Sequence, residues 1–275
     1  MRRTILLLAA LCALVSCRNG GLGELRETVT IDGSVGRLVG DVLRPATSAA
    51  KVPTAIIYHG LTGWRTEVHL RTVADSLLAE GIAVVLFDFN GHGESEGDFV
   101  NMTLDNEFED ALRIYDYVAS LPWVDTKRIS LIGHSQGGLE AGLAAGALGA
   151  EKVYKLVLLA PAACIHTMAV EGSLFGYKLG DGEFPEYIDF WKGLRLGRAY
   201  LESAYNLDVY GRTAGFTGPT IIVQGLADSP ELIRDAEAYT RYLKDVKYIP
   251  LEGLTHGYSE NLALPASLTA RFLAE

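Results

Sequence analysis

The segment Gly133-His134-Ser135-Gln136-Gly137 has the G-x-S-x-G pattern of a sharp turn that presents a serine nucleophile. An apolar run at 129–132 precedes it, and the small residues up to position 148 favour a helix after it. This strand–turn–helix context is what the motif requires, because flanking glycines leave room for so tight a turn. We therefore predict Ser135 as a nucleophile. The alternative is a glycine-rich turn without chemistry.

A serine hydroxyl is a weak nucleophile until a neighbouring base takes its proton. With this type of turn, the chain order is serine, then an acid, then histidine. Of the six histidines, only His166 and His256 follow Ser135. No carboxylate at the end of a strand separates His166 from the serine, whereas His256 follows an apolar run at 246–251. We predict His256 as the general base, against the alternative of a surface-loop histidine.

The acid should follow a strand that lies between the serine and the histidine. Asp228 does so, directly after the apolar run at 220–224. Its predicted role is to orient the imidazole and to stabilise the imidazolium. The alternative is that Asp228 only caps the helix expected at 231–243.

An attacked carbonyl also needs two N–H donors for the negative charge on its oxygen. We expect the backbone N–H of Gln136, next to the nucleophile, to be one donor. The second should come from the glycine-rich loop at 59–63, where we select Leu61, whose side chain would face the acyl pocket. The alternative is a turn without a donor role. Asp88 and His92 precede the nucleophile, so we interpret them as loop scaffolding.

These residues must be positioned by a sheet. Apolar runs without polar alternation are separated by segments with helical spacing, which predicts an α/β fold with a mostly parallel central sheet covered by helices on both faces. Ligands bind such sheets at the carboxyl ends of the strands. The expected strands are 28–31, 37–43, 55–58, 82–87, 129–132, 155–160, 220–224 and 246–251, the first two antiparallel. The expected helices are 68–78, 104–121, 135–148, 231–243 and 259–273.

Residues 163–216 interrupt this alternation and are rich in aromatic side chains. We predict an inserted cap over the strand ends. Some of its side chains should line a substrate pocket, with Trp191 as one candidate, while the others form the core of the cap.

The N-terminus predicts export. Arg2 and Arg3 precede a short apolar segment, and Leu14-Val15-Ser16-Cys17 resembles a bacterial lipobox. We expect a lipoprotein signal peptide at 1–16, a lipid on Cys17, a tether at 17–27 and one domain at 28–275. Lipid would anchor the protein to the cell envelope, at the periplasmic or outer-membrane face. The alternative is an ordinary signal peptide and a soluble periplasmic protein.

Composition excludes other classes. The formal net charge of −10 opposes binding to nucleic acid. Cys164 is the only cysteine after Cys17, so no disulfide within the mature chain is expected, and no cysteine or histidine cluster has zinc-ligand spacing. We expect no metal and no cofactor.

Several segments together resemble the bacterial feruloyl (cinnamoyl) esterases of the α/β-hydrolase superfamily, from about residue 28 to the C-terminus. These segments are 59–63, 88–95, 101–103, 133–138 and 159–163. The resemblance implies cleavage of hydroxycinnamic esters and places the triad on Ser135, Asp228 and His256. It also implies that Tyr200 lies near the substrate ring. At the family position of an aspartate that binds the phenol, this chain has Met168, and a thioether cannot replace a carboxylate there.

The function predicted from sequence is therefore carboxylic ester hydrolysis through an acyl-enzyme, on small-molecule or polysaccharide-linked aryl or acyl esters. The exchange to Met168 favours a less polar acyl group. Two alternatives stay open: a serine aminopeptidase or amidase of the same fold, and a catalytically inactive binding protein. The sequence does not indicate an oligomeric state.

Overall fold

The computed structural model describes residues 24–47, 49–180 and 183–275. The predicted signal peptide, Cys17 and most of the predicted tether lie outside the described residues. The strands are β1 (Leu25–Asp32), β2 (Arg37–Arg44), β3 (Val52–Tyr58), β4 (Ala83–Phe87), β5 (Val124–His134), β6 (Leu156–Leu159), β7 (Ser173–Leu174), β8 (Tyr177–Lys178), β9 (Tyr187–Asp189), β10 (Arg195–Gly197), β11 (Thr220–Gly225) and β12 (Val246–Leu251).

The α-helices alternate with the strands of the main sheet. They are α1 (Val68–Ala79), α2 (Leu104–Ser120), α3 (Gln136–Leu148), α4 (Cys164–Val170), α5 (Arg198–Asn206), α6 (Val209–Thr213), α7 (Pro230–Ala238) and α8 (Ala263–Ala274). Across the described part of the chain, none of these helices has the length and apolar character needed to span a bilayer.

Eight strands form one sheet in the order β1-β2-β4-β3-β5-β6-β11-β12. Strands β1, β2 and β4 pair antiparallel, and all the other neighbours pair parallel. The predicted mostly parallel α/β sheet is therefore confirmed. Because β3, β5, β11 and β12 all run the same way, the loops that follow them meet at one edge of the sheet.

Helices cover both faces of the sheet, so the central strands are buried throughout. Every residue of β4 is buried, which explains its unbroken apolar sequence. On one face, α1 and α8 pack over the sheet through side chains such as Leu70, Leu77 and Leu273. On the other face, α2, α3 and the inserted segment share a larger core that includes Ile114, Leu139 and Leu201.

The edge strand β1 begins earlier than the strand predicted at 28–31, because it pairs with β2 from Leu25 onwards. The side chains of β1 are mostly exposed, and its apolar signal is weak for that reason. Arg26 and Thr28 both donate to the buried carboxylate of Asp41 on β2, and these bonds contribute to holding the edge in place.

The insertion at 163–216 contains α4, α5 and α6 together with two short antiparallel pairs, β7–β8 and β9–β10. The sequence pattern predicted none of these elements individually, because each is short. Most of the apolar side chains of this cap segment join the core beside α2 and α3. Tyr200, for example, is fully buried. Trp191 instead is 53% exposed, with the Lys192 ammonium over its ring.

Two helices near the C-terminus are shorter than predicted. Helix α7 ends at Ala238 and is followed by a single 3-10 turn at Tyr239–Arg241. Helix α8 begins at Ala263 rather than at residue 259. The backbone of Tyr258 is left-handed, with φ 55°. The side chain of Asn261 accepts a hydrogen bond from the backbone N–H of Leu264 and so caps the first turn of the helix.

Candidate active site

Ser135 lies in the turn between β5 and α3 with φ 58° and ψ −123°, a backbone conformation that is rare for a residue with a side chain. Two glycines allow the turn. A Cβ on Gly133 would lie 1.9 Å from the carbonyl oxygen of Gly137, and a Cβ on Gly137 would lie 2.3 Å from the carbonyl oxygen of His59. The glycines of the motif are thus required by close backbone contacts around the serine.

His256 lies in the loop after β12, and the structure brings it to the serine. The Ser135 hydroxyl lies 2.9 Å from Nε2 of His256, close enough to donate a hydrogen bond. On the other side of the ring, Nδ1 of His256 lies 2.8 Å from Oδ2 of Asp228, which follows β11. The three residues predicted from chain order are therefore in hydrogen-bond contact, although they come from three different loops.

The carboxylate of Asp228 is itself held by neighbours. Oδ1 accepts from the backbone N–H of Ser229 at 2.8 Å, and Oδ2 accepts from Nε2 of Gln224 at 3.1 Å. Gln224 is buried at the end of β11. Its amide orients Asp228, a role that was not predicted from the sequence. The only sequence signal for this contact is its spacing of four residues from the acid.

The peptide that joins Gly60 to Leu61, one of the two predicted donors, is held in one orientation. The carbonyl oxygen of Gly60 accepts from Nδ1 of His59 at 2.8 Å and from the N–H of Gly63 at 2.9 Å. In a trans peptide, the N–H of Leu61 points away from that carbonyl. The loop touches the nucleophile, since a Cβ on Gly60 would lie 2.8 Å from Cβ of Ser135.

The ring of His59 has a fixed protonation pattern. Its Nε2 accepts from the backbone N–H of Phe89 at 2.9 Å, so its hydrogen is on Nδ1 and is donated to Gly60. Burial lowers the pKa of His59 to about 4 and keeps the ring neutral. Sequence reasoning missed this role, although His59 is the first residue of the predicted donor loop at 59–63.

The other predicted donor, Gln136, is the first residue of α3. Its N–H has no acceptor within the helix, as for every first-turn N–H. The side chain of Gln136 is anchored: Nε2 donates to Glu107 at 2.6 Å, and Oε1 accepts from the hydroxyl of Tyr200 at 2.7 Å. Tyr200 was expected beside the substrate ring, but it lies buried behind Gln136, away from the pocket wall.

A cavity of about 320 Å³ opens beside Ser135 and His256. Its walls are mainly apolar and come from the loop after β3, α4, the insertion and α7. Of the predicted pocket residues, Leu61 and Met168 line it, and Trp191 does not, because it lies exposed on the insertion. The lining residues missed from sequence include Ile165, Phe175, Phe190, Glu231 and Leu232.

Asp88 and His92 take structural roles. The Asp88 carboxylate forms an ion pair with Arg65 and also accepts the backbone N–H of that residue, which fixes the segment after the loop at 59–63. His92 is buried, and its Nδ1 lies 2.9 Å from the carbonyl oxygen of Asn90.

Among the residues that the structure describes, no group of three or more His, Cys, Asp or Glu side chains could hold a metal ion.

Comparison with known proteins agrees with the α/β fold described above. The solved structure of Est1E from Butyrivibrio proteoclasticus with ferulic acid bound is 32% identical, has a TM-score of 0.84, and covers 89% of this chain and 97% of that chain. The chain belongs to the α/β-hydrolase family. The sequence model for one group of this family, described as "Serine aminopeptidase, S33", matches residues 51–180. The resemblance to feruloyl esterase-like α/β-hydrolases is thereby confirmed.

Shorter stretches match two curated proteins. The quorum-quenching protein AidA of Acinetobacter baumannii is 34% identical over 96 residues, which are 34% of this chain and 31% of AidA. An uncharacterized 31.7 kDa protein of Escherichia coli is 33% identical over 88 residues, which are 32% of this chain and 30% of that protein. The match therefore spans about a third of each curated relative.

The contacts of Gly137 predict that Gly137→Ala destabilises the fold. The added methyl group would overlap backbone atoms of the loop after β3, and such overpacking typically costs about 1–3 kcal/mol. Urea unfolding measures this cost. Gly257→Ala is the matched control, because its Cβ would meet nothing within 4 Å. An unchanged midpoint for the Gly137 variant would contradict the close approach.

Burial raises the pKa of Glu107 to about 8, so the folded protein keeps a proton that the unfolded chain loses near pH 4.5. The stability of the wild type should therefore fall as pH rises from about 4.5 to 8. Gln at this position carries no ionisable proton and can still accept from Gln136. We expect Glu107→Gln to gain stability over the wild type between pH 5 and pH 8, by on the order of 1–4 kcal/mol.

Urea unfolding at pH 5, 6.5 and 8 measures this gain. Glu109→Gln, on the exposed face of the same helix, is the matched control for the loss of one carboxylate. If the difference in unfolding free energy between Glu107→Gln and the wild type is the same at all three pH values, Glu107 does not carry an additional proton in the folded protein.

Proposed function

We propose that this α/β-hydrolase cleaves carboxylic esters through a covalent acyl-enzyme, with Ser135 as the nucleophile, His256 as the general base and Asp228 as the acid of the triad. The observation that carries the proposal is the hydrogen-bond chain from Asp228 through His256 to Ser135, at 2.8 and 2.9 Å. A serine, a base within hydrogen-bond reach and a third group that orients the base form the minimal set for an activated nucleophile.

In the first half-reaction, Nε2 of His256 takes the proton of Ser135 while Oγ attacks the ester carbonyl carbon. The carbonyl oxygen becomes negative and accepts from the N–H groups of Leu61 and Gln136, whose positions are fixed before substrate arrives. Asp228 stabilises the imidazolium without taking its proton. The imidazolium then donates that proton to the departing alcohol oxygen as the carbon–oxygen bond breaks, and the acyl group stays on Ser135.

In the second half-reaction, a water molecule gives its proton to His256 and attacks the acyl carbon. The same two N–H groups hold the negative oxygen. When the tetrahedral intermediate collapses, the bond to Ser135 breaks, Oγ regains the proton from His256, and the carboxylic acid leaves. Each step uses side chains and backbone N–H groups of this chain.

The cavity supports an ester with a flat or extended apolar acyl group. Its walls beside Ser135 include Ile165, Phe175, Phe190 and Met168, which offer apolar area and soft sulfur contacts to a ring. Est1E, with a fold of the same type, binds ferulic acid. We propose aryl or acyl esters as substrates, either small or linked to a polysaccharide. Met168 favours acyl groups that do not require an ionic partner for a phenol.

Cleavage of aminoacyl amides is the second candidate. The matching family description names a serine aminopeptidase, and Glu231 in the cavity wall offers a carboxylate that could pair with an α-ammonium group. The two candidates differ in the group that the cavity must bind: an apolar acyl group for the esterase, and an α-ammonium group for the aminopeptidase.

A substrate panel separates these candidates. Purified protein should be assayed on 4-nitrophenyl acetate, butyrate, cinnamate and ferulate, and on alanine and leucine 4-nitroanilides. We expect the highest kcat/KM on an aryl or longer acyl ester. Faster cleavage of the anilides would replace the esterase proposal by the aminopeptidase. If kcat/KM is highest on the acetate ester, the preference for aryl acyl groups is ruled out, while the acyl-enzyme mechanism is not.

Variants test the roles of the triad. Ser135→Ala should lower kcat/KM on the preferred ester at least about 10³-fold, because no other group forms the acyl-enzyme. Asp228→Asn should lower it about 10³- to 10⁴-fold by removing the charge that favours the imidazolium. His166→Gln and Ser120→Ala, outside the site, are the matched controls. Residual activity of Ser135→Ala within tenfold of the wild type would rule out this nucleophile.

We also propose that Cys17 carries a lipid that anchors the protein to the cell envelope. The support is the order of Arg2, Arg3, the apolar segment and the lipobox-like residues 14–17. Expression with a clickable fatty acid should label the wild type and not Cys17→Ser. An unlabelled wild type in the soluble periplasmic fraction would instead indicate an ordinary signal peptide.

A further inference from the structure

The G-x-S-x-G motif leaves the residue before the serine open, and in this chain it is His134, the last residue of β5. Its side chain does not point into the cavity. Instead, Nε2 of His134 lies 2.8 Å from the backbone carbonyl oxygen of His256, and the two imidazole rings lie 4.8 Å apart between centroids. One hydrogen bond therefore connects the strand that carries the nucleophile to the loop that carries the base.

A third histidine completes the arrangement. Nε2 of His69, on α1, lies 3.2 Å from Nδ1 of His134, with the ring centroids 4.3 Å apart. The carbonyl oxygen of His256 can only accept, so the hydrogen of His134 must be on Nε2. In a neutral ring, Nδ1 is then an acceptor, and His69 must donate to it from its own Nε2.

Burial keeps both rings neutral. It lowers the pKa of His69 to about 4 and the pKa of His134 well below its usual range. Both bonds therefore persist at neutral pH with one defined direction. A neutral ring next to His256 also adds no positive charge that would oppose the imidazolium formed during catalysis.

Other hydrogen bonds hold the loop on both sides of His256. The N–H of Tyr258 donates to Thr255, and Thr255 donates to Glu260, within the loop itself. The Tyr258 hydroxyl donates to the backbone carbonyl of Val223 on β11 at 2.7 Å. The N–H of Ala227 donates to the carbonyl of Leu254 and holds the start of the loop to the segment after β11. The bond from His134 acts on His256 itself.

We propose that His134 is a positioning residue for the base, and that His69 fixes the orientation of His134. The chain of donors runs from His69 Nε2 to His134 Nδ1, and from His134 Nε2 to the carbonyl oxygen of His256. This inference rests on the proposed function, because it assigns His134 a role in holding the general base of the triad.

The first test does not depend on any substrate. Two-bond ¹H–¹⁵N spectra of protein labelled with ¹⁵N-histidine at pH 7 report the tautomer of each ring. We expect His69 and His134 as neutral Nε2–H tautomers, with the signals assigned by their loss in His69→Gln and His134→Gln. A Nδ1–H tautomer or a charged ring at His134 would overturn the proposal even if the protein is an active esterase.

The second test measures how fast a fluorophosphonate probe modifies Ser135, which reports activation of the serine without an ester. His134→Phe keeps a ring and removes the donor, and we expect labelling to slow about 10- to 100-fold, because a base displaced by a fraction of an ångström loses alignment. His134→Gln places an amide N–H near the position of Nε2 and should recover most of the rate. If His134 only fills space, Ser135 should be labelled faster in His134→Phe than in His134→Gln.

Thermal unfolding of each variant separates loss of fold from loss of positioning. Should His134→Phe fail to fold, His69→Leu against His69→Gln gives the same comparison one bond further away, with a smaller loss and the same rescue. If the wild type is not labelled at all, the proposed function fails while the tautomer test still stands. If the wild type and His134→Phe label equally fast, only the positioning role fails.

Discussion

The site depends on one backbone constraint: Ser135 must adopt a left-handed conformation so that its hydroxyl stands above the end of β5, 2.9 Å from His256. That conformation costs about 1–3 kcal/mol for a residue with a side chain. It is held because the turn is enclosed by backbone on several sides, with Gly133 against Gly137, Gly137 against the end of β3, and Gly60 against the serine. The parallel strands then bring the acid and the base to the same edge.

Burial controls protonation throughout the surroundings of the proposed triad. The rings of His59, His69 and His134 have lowered pKa values, while the pKa of Glu107 is raised. Neutral groups with fixed donor and acceptor sides can orient a loop without imposing a charge on the reaction. In the proposed mechanism, Asp228 is the carboxylate that contacts the ring of His256.

Much of this arrangement follows from sequence because it is local or ordered along the chain. The continuous apolar runs of β3, β4 and β11 predicted a parallel sheet, and chain order after Ser135 selected Asp228 and His256. The contacts of Gln224, His59 and His134 could not be predicted, since each depends on which backbone atom lies opposite in space. Trp191 was misplaced because aromatic composition marks an insertion but does not say which rings turn inward and which stay exposed. Tyr200 was placed near the substrate by the family resemblance, but in this chain its hydroxyl donates to the side chain of Gln136.

The central claim is that an acyl group is transiently bonded to Ser135, and the most direct measurement is rapid acid quenching of the wild-type protein during turnover of its preferred ester, followed by peptide mass spectrometry. The account predicts the acyl mass on the peptide that contains Ser135, at a level that decays as substrate is consumed. Turnover without any acylated peptide, or with the acyl group on a different residue, would contradict it.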